Sequence, residues 1–231
     1  MLGLAFSGGK DSLACWHLYS KSNPVVFWVN TGKAYPETLE IVDEIRNQCD
    51  QFVEIKTDQQ AQNDKEGLPS DIVPIDYTTM GIQCTSKKPV VVQSYLQCCI
   101  ENIARPLMDA VKAHGVTQLI RGQRNSESHK SPSKNGAVVE GVKFIHPIED
   151  WTDEQVFAFL KAVRPELPAH FFIKHSSLDC YDCTAYLEHS QDRIEWMQKK
   201  YPDLYNRYKS RMAALQSAVS PLLPYFSRQN Y

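Results

Sequence analysis

Alternating strand-like and helix-like segments, a glycine loop at the first strand-to-helix junction and polar motifs at the ends of later strands predict an α/β fold for this chain of 231 residues. The expected architecture is a doubly wound, Rossmann-like, mainly parallel sheet of five strands, with helices on both faces and a C-terminal helical extension. Composition allows it. Hydrophobic residues at 42% and charged residues at 23% are those of an ordinary globular chain, and a chain this long buries about 70% of its unfolded surface.

Apolar, β-branched or aromatic runs mark strands at residues 2–6, 25–29, 52–55, 117–121 and 142–145. Residues 35–48 carry Leu39, Val42 and Ile45 at helical spacing, with Pro36 near the start. Residues 89–103 read as a helix with Pro89 in its first position, and Pro106 as the start of a second helix ending at His114 and Gly115. Two polar stretches, 57–71 and 129–141, read as mobile lids. After Cys183 the chain is helical through Tyr201, broken by Pro202, and helical again over 204–218.

A net charge of −2 gives no general attraction to nucleic acid. No apolar run approaches the roughly 20 residues of a membrane helix, and the first strand begins at residue 2, so a cytoplasmic protein with no signal segment and no membrane partner is expected. In that reducing compartment the seven cysteines read as metal ligands or reactive thiols rather than disulfides.

Ser7-Gly8-Gly9-Lys10-Asp11-Ser12 lies between the first apolar run and the amphipathic stretch 11–19. Two glycines let the backbone approach an anion, the following helix N-terminus presents unpaired N–H groups, and Lys10 adds positive charge. The segment therefore reads as a phosphate cradle to which Ser7 and Ser12 donate hydroxyl hydrogen bonds. Its spacing is neither that of the Walker loop nor that of the Gly-x-Gly-x-x-Gly dinucleotide fingerprint. It resembles the PP-loop of the ATP pyrophosphatases, which cut ATP between its α and β phosphates; a plain glycine turn is the alternative.

Open parallel sheets bind ligands at the carboxyl ends of their strands. The second strand ends in Asn30-Thr31-Gly32, followed by Tyr35-Pro36-Glu37-Thr38, and the fourth in Arg121-Gly122-Gln123-Arg124-Asn125-Ser126-Glu127-Ser128, so both belong beside the loop. Arg121 and Arg124 offer guanidinium forks to phosphate or sulfate oxygens. After the fifth strand, Thr152 and Gln155 form a capping box, Trp151 reads as core, and His146 as a buried histidine with its hydrogen bonds satisfied rather than a catalytic group.

Cys98-Cys99 and Cys180-Tyr181-Asp182-Cys183 supply four thiols as two clamps, the donor set of a tetrahedral metal or a cubane cluster. Adjacent cysteines are awkward for a zinc clamp, so a 4Fe-4S cluster is preferred to structural zinc; plain buried cysteines are a third reading. Cys15 reads as packed on the sheet and Cys49 as near a helix end. Cys84 sits in a loop beside Lys87 and Lys88, which favour its thiolate; it is a candidate sulfur nucleophile, with an incidental surface cysteine the preferred reading.

Taken in order, the loop, Asn30-Thr31-Gly32 with Tyr35-Pro36-Glu37-Thr38, Gly122-x-Arg124-x-x-Glu127-Ser128, Pro147-x-x-x-Trp151-Thr152 and Cys180-x-x-Cys183-Thr184 resemble the phosphoadenosine phosphosulfate (PAPS) reductase family, CysH-like members of the PP-loop superfamily. Cys98-Cys99 followed by Arg105-Pro106-Leu107 resembles the branch that reduces adenosine phosphosulfate (APS), whose paired cysteines and Cys-x-x-Cys hold a 4Fe-4S cluster. The resemblance implies an adenine nucleotide alpha hydrolase-like domain over residues 1–187 and an extension over 188–231. It implies nucleotide binding by Ser7, Gly8, Gly9, Lys10, Asp11, Ser12, Asn30, Thr31, Gly32, Gly122 and Arg124. Catalytic roles fall to Lys10, Asp11 and Arg124, and the cluster to Cys98, Cys99, Cys180 and Cys183. The implied partners are an adenine nucleotide, ATP with Mg2+ or else APS or PAPS, and a sulfur acceptor or thiol donor protein; a homodimer is compatible with this.

The chain departs from the family's pattern at three places. Those reductases use a cysteine near the C-terminus as nucleophile, and residues 184–231 contain none. Their loop is degenerate, whereas Ser7 to Ser12 keeps the complete pyrophosphatase form, with Lys10 placed to stabilise departing pyrophosphate and Asp11 either to help hold Mg2+ or to cap the helix. Asn30 stands where the family has Asp. The resulting expectation is ATP α–β cleavage coupled to sulfur transfer. Reduction of APS or PAPS to sulfite and a non-catalytic nucleotide-binding regulatory module are the alternatives.

Overall fold

The computed structural model describes residues 1–84, 88–126, 133–173, 178 and 180–226. β1 (Leu2–Ala5), α1 (Lys10–Tyr19), β2 (Val25–Asn30), α2 (Pro36–Arg46) and β3 (Phe52–Lys56) alternate as the sequence patterning requires. They are followed by α3 (Gln59–Glu66), β4 (Leu68–Ser70), α4 (Thr79–Cys84), β5 (Val92–Ser94), α5 (Tyr95–Cys99), a π-helical turn (Ile100–Ala104) and α6 (Arg105–Ala113). Then come β6 (Gln118–Ile120), β7 (Val138–Val139), β8 (Val142–Ile145), α7 (Asp153–Val163), α8 (Gln191–Lys200) and α9 (Pro202–Val219).

The main sheet runs β3-β2-β1-β6-β8-β7, with the first five strands parallel and β7 antiparallel to β8. The five expected strands are thus present, and the sixth is a two-residue edge strand inside the stretch read as a lid. β2 shows why its apolar run is continuous. Val25 and Phe27 pack with Val111, Leu119 and Phe144 on one face, whereas Val26 and Trp28 pack with Leu13, Trp16 and Leu160 on the other.

Two expectations change. Residues 57–71 are no lid, because they contain α3 and β4, which pairs in parallel with β5 as a second small sheet. Apolar periodicity could not find α3, since the side chains it buries are the amides Gln59 and Asn63. Residues 89–103 do not start a helix at Pro89 either: the β-branched run Val90-Val91-Val92 stays extended into β5, and helix begins at Tyr95, where the Ser94 hydroxyl accepts from the Leu96 N–H.

Pro106 lies in the first turn of α6, as expected, and α6 follows on from α5 through the π-turn. The proline has no N–H for the carbonyl four residues back and would clash with it. Between α5 and α6 the chain widens into the π-turn, in which the Arg105 N–H reaches the Ile100 carbonyl, and the freed Asn102 carbonyl accepts from the Thr57 hydroxyl at 3.1 Å. α8 and α9 pack on the domain: Met197 of α8 and Tyr208 of α9 cluster with Tyr35 and Leu178, and Leu215 and Ala218 of α9 with Val92. No helix of the described residues is long and apolar enough to cross a membrane.

Candidate functional site

The loop between β1 and α1 sits at the topological switch point. β1 lies between β2, which leads one half of the sheet, and β6, which leads the other, the position at whose carboxyl edge open α/β sheets bind ligands. Gly8 takes φ +80, and a Cβ there would lie 2.8 Å from Thr38 Cγ2 on α2. Gly122, just past β6, is required for a different reason: its Cβ would lie 2.7 Å from the Asp11 carbonyl carbon and 2.8 Å from the Ser12 nitrogen. The fourth strand's end therefore lies against the first turn of α1.

The hydroxyls order the loop. The Ser7 N–H donates to Ser12 Oγ at 3.2 Å, the Ser12 hydroxyl donates to the Gly9 carbonyl at 2.9 Å, and the Gly9 N–H donates to Ser7 Oγ at 3.3 Å. No side chain caps the N-terminus of α1, and Gly9 in extended conformation turns that end toward the loop.

Four charges close into a ring beside it. Lys10 Nζ lies 2.8 Å from Asp11 Oδ2, Asp11 Oδ1 2.8 Å from Arg124 Nε, Arg124 Nη2 2.7 Å from Asp153 Oδ1, and that same oxygen 3.2 Å from Lys10 Nζ. Arg124 is 4% exposed and also donates to Ser126 Oγ and the Trp151 carbonyl, so it fixes the two carboxylates rather than reaching into solvent. Asp153 was missed. It stands directly after Thr152, whose capping box with Gln155 is present, and that structural role masked the second one.

Asn30 ends β2 and organises its turn. It accepts from the Gly32 N–H at 2.9 Å and donates to Glu54 at 2.7 Å, a carboxylate that an Asp at this position would repel. Thr31 is buried, with its hydroxyl 3.3 Å from Cys180 Sγ. The Cys-x-x-Cys segment docks here through an antiparallel bridge of Ala34 with Cys180 and through the Tyr181 N–H on the Lys33 carbonyl.

Asp182, between the two cysteines, is buried and gathers Lys33 at 3.1 Å, Arg207 at 2.6 Å and Arg211 at 3.7 Å, while Arg193 donates to the Cys180 and Cys183 carbonyls. Burial holds Arg211 below its ordinary range, with Asp182 opposing. Nothing in the sequence around Cys180 announces these arginines, which arrive from α8 and α9.

Cys98 is buried at the end of α5. Burial pushes its thiol up to about 11, Cys180 and Cys183 add to the rise, and hydrogen bonds from Gln59 and Asn102 oppose it. The two cysteine segments are therefore neighbours, and Cys99 Sγ lies 3.6 Å from the Tyr186 hydroxyl beyond Cys183. Among the described residues no three His, Cys, Asp or Glu side chains converge as a metal cage. The four thiols come as two pairs from segments distant in sequence, with Cys98 within electrostatic reach of Cys180 and Cys183.

Cys15 is in the core and Cys49 follows α2, as read; Cys84 ends α4, exposed. Glu127, Ser128 and residues 129–132 of the second lid lie outside the described residues, as does Lys87 beside Cys84. Arg121 lies over the Phe144 ring at 5.7 Å. Trp151 packs edge-on to Phe159. His146 corrects its reading: it is buried, but both ring nitrogens lack a hydrogen-bond partner among the described residues.

Fold and site together define a doubly wound α/β domain with a glycine loop at its switch point and a Cys-x-x-Cys segment docked beside the end of β2. A family model described as the phosphoadenosine phosphosulfate reductase domain matches residues 2–186, and the chain belongs to that family. It is 26% identical over 191 residues to an adenosine 5'-phosphosulfate reductase of Burkholderia cepacia, covering 79% of this chain and 69% of that protein. It is 25% identical over 170 residues to a phosphoadenosine 5'-phosphosulfate reductase of Alkalilimnicola ehrlichii, covering 72% of this chain and 62% of the relative. Among solved structures, a phosphoadenylyl-sulfate reductase from Candida auris in phosphate complex aligns with a TM-score of 0.45 at 16% identity, over 70% of this chain and 72% of that one.

Proposed function

We propose that the protein binds ATP with Mg2+ at the β1 loop, transfers the adenylyl group to an acceptor with release of pyrophosphate, and couples this step to sulfur transfer. The observation that carries the reading is the ring of Lys10, Asp11, Arg124 and Asp153 beside a complete glycine loop. Two cations and two carboxylates make the ring neutral, so it can meet a polyphosphate and its metal together. Lys10 turns from Asp11 to the phosphates, and the released carboxylates of Asp11 and Asp153 suit Mg2+, which uses one or two carboxylates and keeps several waters. Arg124 keeps those carboxylates in place.

The acceptor attacks the α phosphorus, the bond to the bridging oxygen breaks, and its electron pair leaves with pyrophosphate. Lys10 and the N-terminus of α1 stabilise the charge that develops there. Thr31, Gly32 and the Asn30 turn line the adenosine side. A 4Fe-4S cluster would be held by Cys98, Cys99, Cys180 and Cys183 and would deliver sulfur or shape the acceptor site. The enzyme in this reading is cytoplasmic and works with a sulfur acceptor or a thiol donor protein.

Incubating anaerobically purified protein with ATP, Mg2+ and candidate acceptors releases pyrophosphate; absence of release with every acceptor, together with absent ATP–pyrophosphate exchange, overturns the reading. A second reading, reduction of APS or PAPS to sulfite with a thiol donor, is favoured by the names of the relatives. Sulfite formed in the presence of a dithiol protein, without any need for ATP, would establish it instead.

A further inference from the structure

Three cations converge on Asp182 from separate parts of the chain. Lys33 follows the turn at the end of β2, and Arg207 and Arg211 stand four residues apart on one side of α9. All three close on Asp182 Oδ2, and all three also donate to a single amide oxygen, Gln60 Oε1, at 3.3 Å from Lys33 Nζ, 2.7 Å from Arg207 Nη2 and 3.3 Å from Arg211 Nη2. Arg211 Nη1 donates to the Asp182 carbonyl at 2.8 Å.

Donors outnumber acceptors here. A guanidinium has five N–H donors and an ammonium three, whereas each of these oxygens has two lone pairs. Among the described residues Arg207 donates through Nη2 alone, which leaves its Nε and Nη1 for another acceptor. Charge is unbalanced in the same direction. Asp182 is the one carboxylate paired with the three cations among the described residues, and Asp64, which accepts from Gln60 Nε2 at 2.6 Å, is exposed. Arg193 adds a fourth cation nearby, on the Cys180 and Cys183 carbonyls.

The side chains of Lys33 and Arg211 are only 11% and 10% exposed, so water does little to offset the surplus; that of Arg207 is 42% exposed and opens the cluster to solvent. Three cations less one carboxylate leave two positive charges, which a sulfate or a doubly ionised phosphate group cancels and a carboxylate halves. The ring beside the glycine loop, by contrast, is neutral and shares no residue with this cluster.

We propose that Lys33, Arg207 and Arg211 form a binding site for the sulfate or phosphate group of a second ligand, held while the β1 loop holds the nucleotide. Arg207 supplies a guanidinium fork to the tetrahedral oxygens, and Lys33 and Arg211 supply the charge behind it. The proposal deepens the two-substrate reading and rests on it only for the occupant of the loop, because the anion is measured by itself.

The test is isothermal titration of the protein with sodium sulfate, sodium phosphate and sodium acetate, each against chloride of equal ionic strength. Sulfate and phosphate bind, the tighter of the two identifying the group, and acetate binds about tenfold more weakly. Arg207→Gln weakens the tetrahedral anions about tenfold, and Arg207→Lys, which keeps the charge and loses the fork, falls between it and the parent. Both variants melt within about 2 °C of the parent, as removal of a partly exposed ion pair allows. Lys10→Ala, and a saturating non-hydrolysable ATP analogue with Mg2+, leave the affinity for sulfate unchanged. Binding no stronger than that of chloride, acetate binding as tightly as sulfate, displacement of sulfate by the nucleotide analogue, or affinity lost in Lys10→Ala and kept in Arg207→Gln overturns the proposal. A large drop in melting temperature in both Arg207 variants assigns the cluster to the fold and overturns it as well.

Discussion

Gly122→Ala isolates the contact between the end of β6 and the first turn of α1. The added Cβ would lie 2.7 Å, 2.8 Å and 2.9 Å from the Asp11 carbonyl carbon, the Ser12 nitrogen and the Asp11 oxygen, all backbone atoms of a helix that cannot rotate out of the way. Overpacking of this kind costs about 1–3 kcal/mol. Alanine also stiffens the unfolded chain, which favours folding by about 0.4–1 kcal/mol where the backbone conformation is ordinary. Sterics win, and the net loss of about 1–2 kcal/mol lowers the melting temperature by about 2–8 °C for a domain of this size. The larger effect falls on function, because relief of the clash moves the α1 N-terminus and Lys10, and a displacement of about 1 Å at a reacting group costs on the order of 100-fold in rate. Differential scanning fluorimetry and a pyrophosphate-release assay measure the two. Gly9→Ala is the stability control, since its Cβ would meet only Ser7 Oγ at 3.4 Å. A Gly122→Ala protein that melts and turns over like the parent refutes the reasoning.

Lys10→Ala is expected to cut pyrophosphate release by about 100- to 1,000-fold. Its melting temperature should stay near the parent's, because partly exposed ion pairs contribute under about 1 kcal/mol; a large drop in melting temperature would assign Lys10 to the fold instead. Asp182→Asn leaves Lys33 and Arg211 buried against a neutral amide and should cost about 3–5 kcal/mol. Melting within 2 °C or so of the parent would show that the cluster is worth little, as exposed pairs are. Acid should destabilise the protein early: burial holds His146 and His170 below the ordinary histidine range, so the unfolded chain binds more protons than the folded one. Their contribution is intact above about pH 6.5 and declines as pH falls below it, and replacing His146 with Gln should flatten the melting-temperature profile between about pH 6.5 and 5.

Strands buried on both faces announced themselves as unbroken apolar runs, and the loop and the Thr152 capping box are local patterns whose chemistry is complete within six residues or fewer. These were legible. α3 was not, because a helix that buries Gln59 and Asn63 has no apolar stripe to read. Pro89 misled for a related reason: proline fits the first turn of a helix and equally the extended run into β5, and Val90 to Val92 decided between them. Lys10, Asp11 and Arg124 stand out in the sequence as separate candidates, but the ring that joins them closes only through Asp153, which lies 142 residues beyond Asp11 in the chain. The arginines that gather on the Cys-x-x-Cys segment were equally invisible, since only the packing of α8 and α9 brings them there.

The widened turn before Pro106 lets one helix answer to two masters. An uninterrupted α-helix locks the angular phase of its first residue to that of its last, so a change of orientation at one end would be transmitted to the other. With an extra residue accommodated at Ile100–Ala104, the half carrying Cys98 and Cys99 is offset in angular phase from the half that buries Val111 against the sheet, so each presents a face that one regular helix could not. The proline that withholds an N–H from Asn102 thus fixes the angle at which the two cysteines face relative to the core.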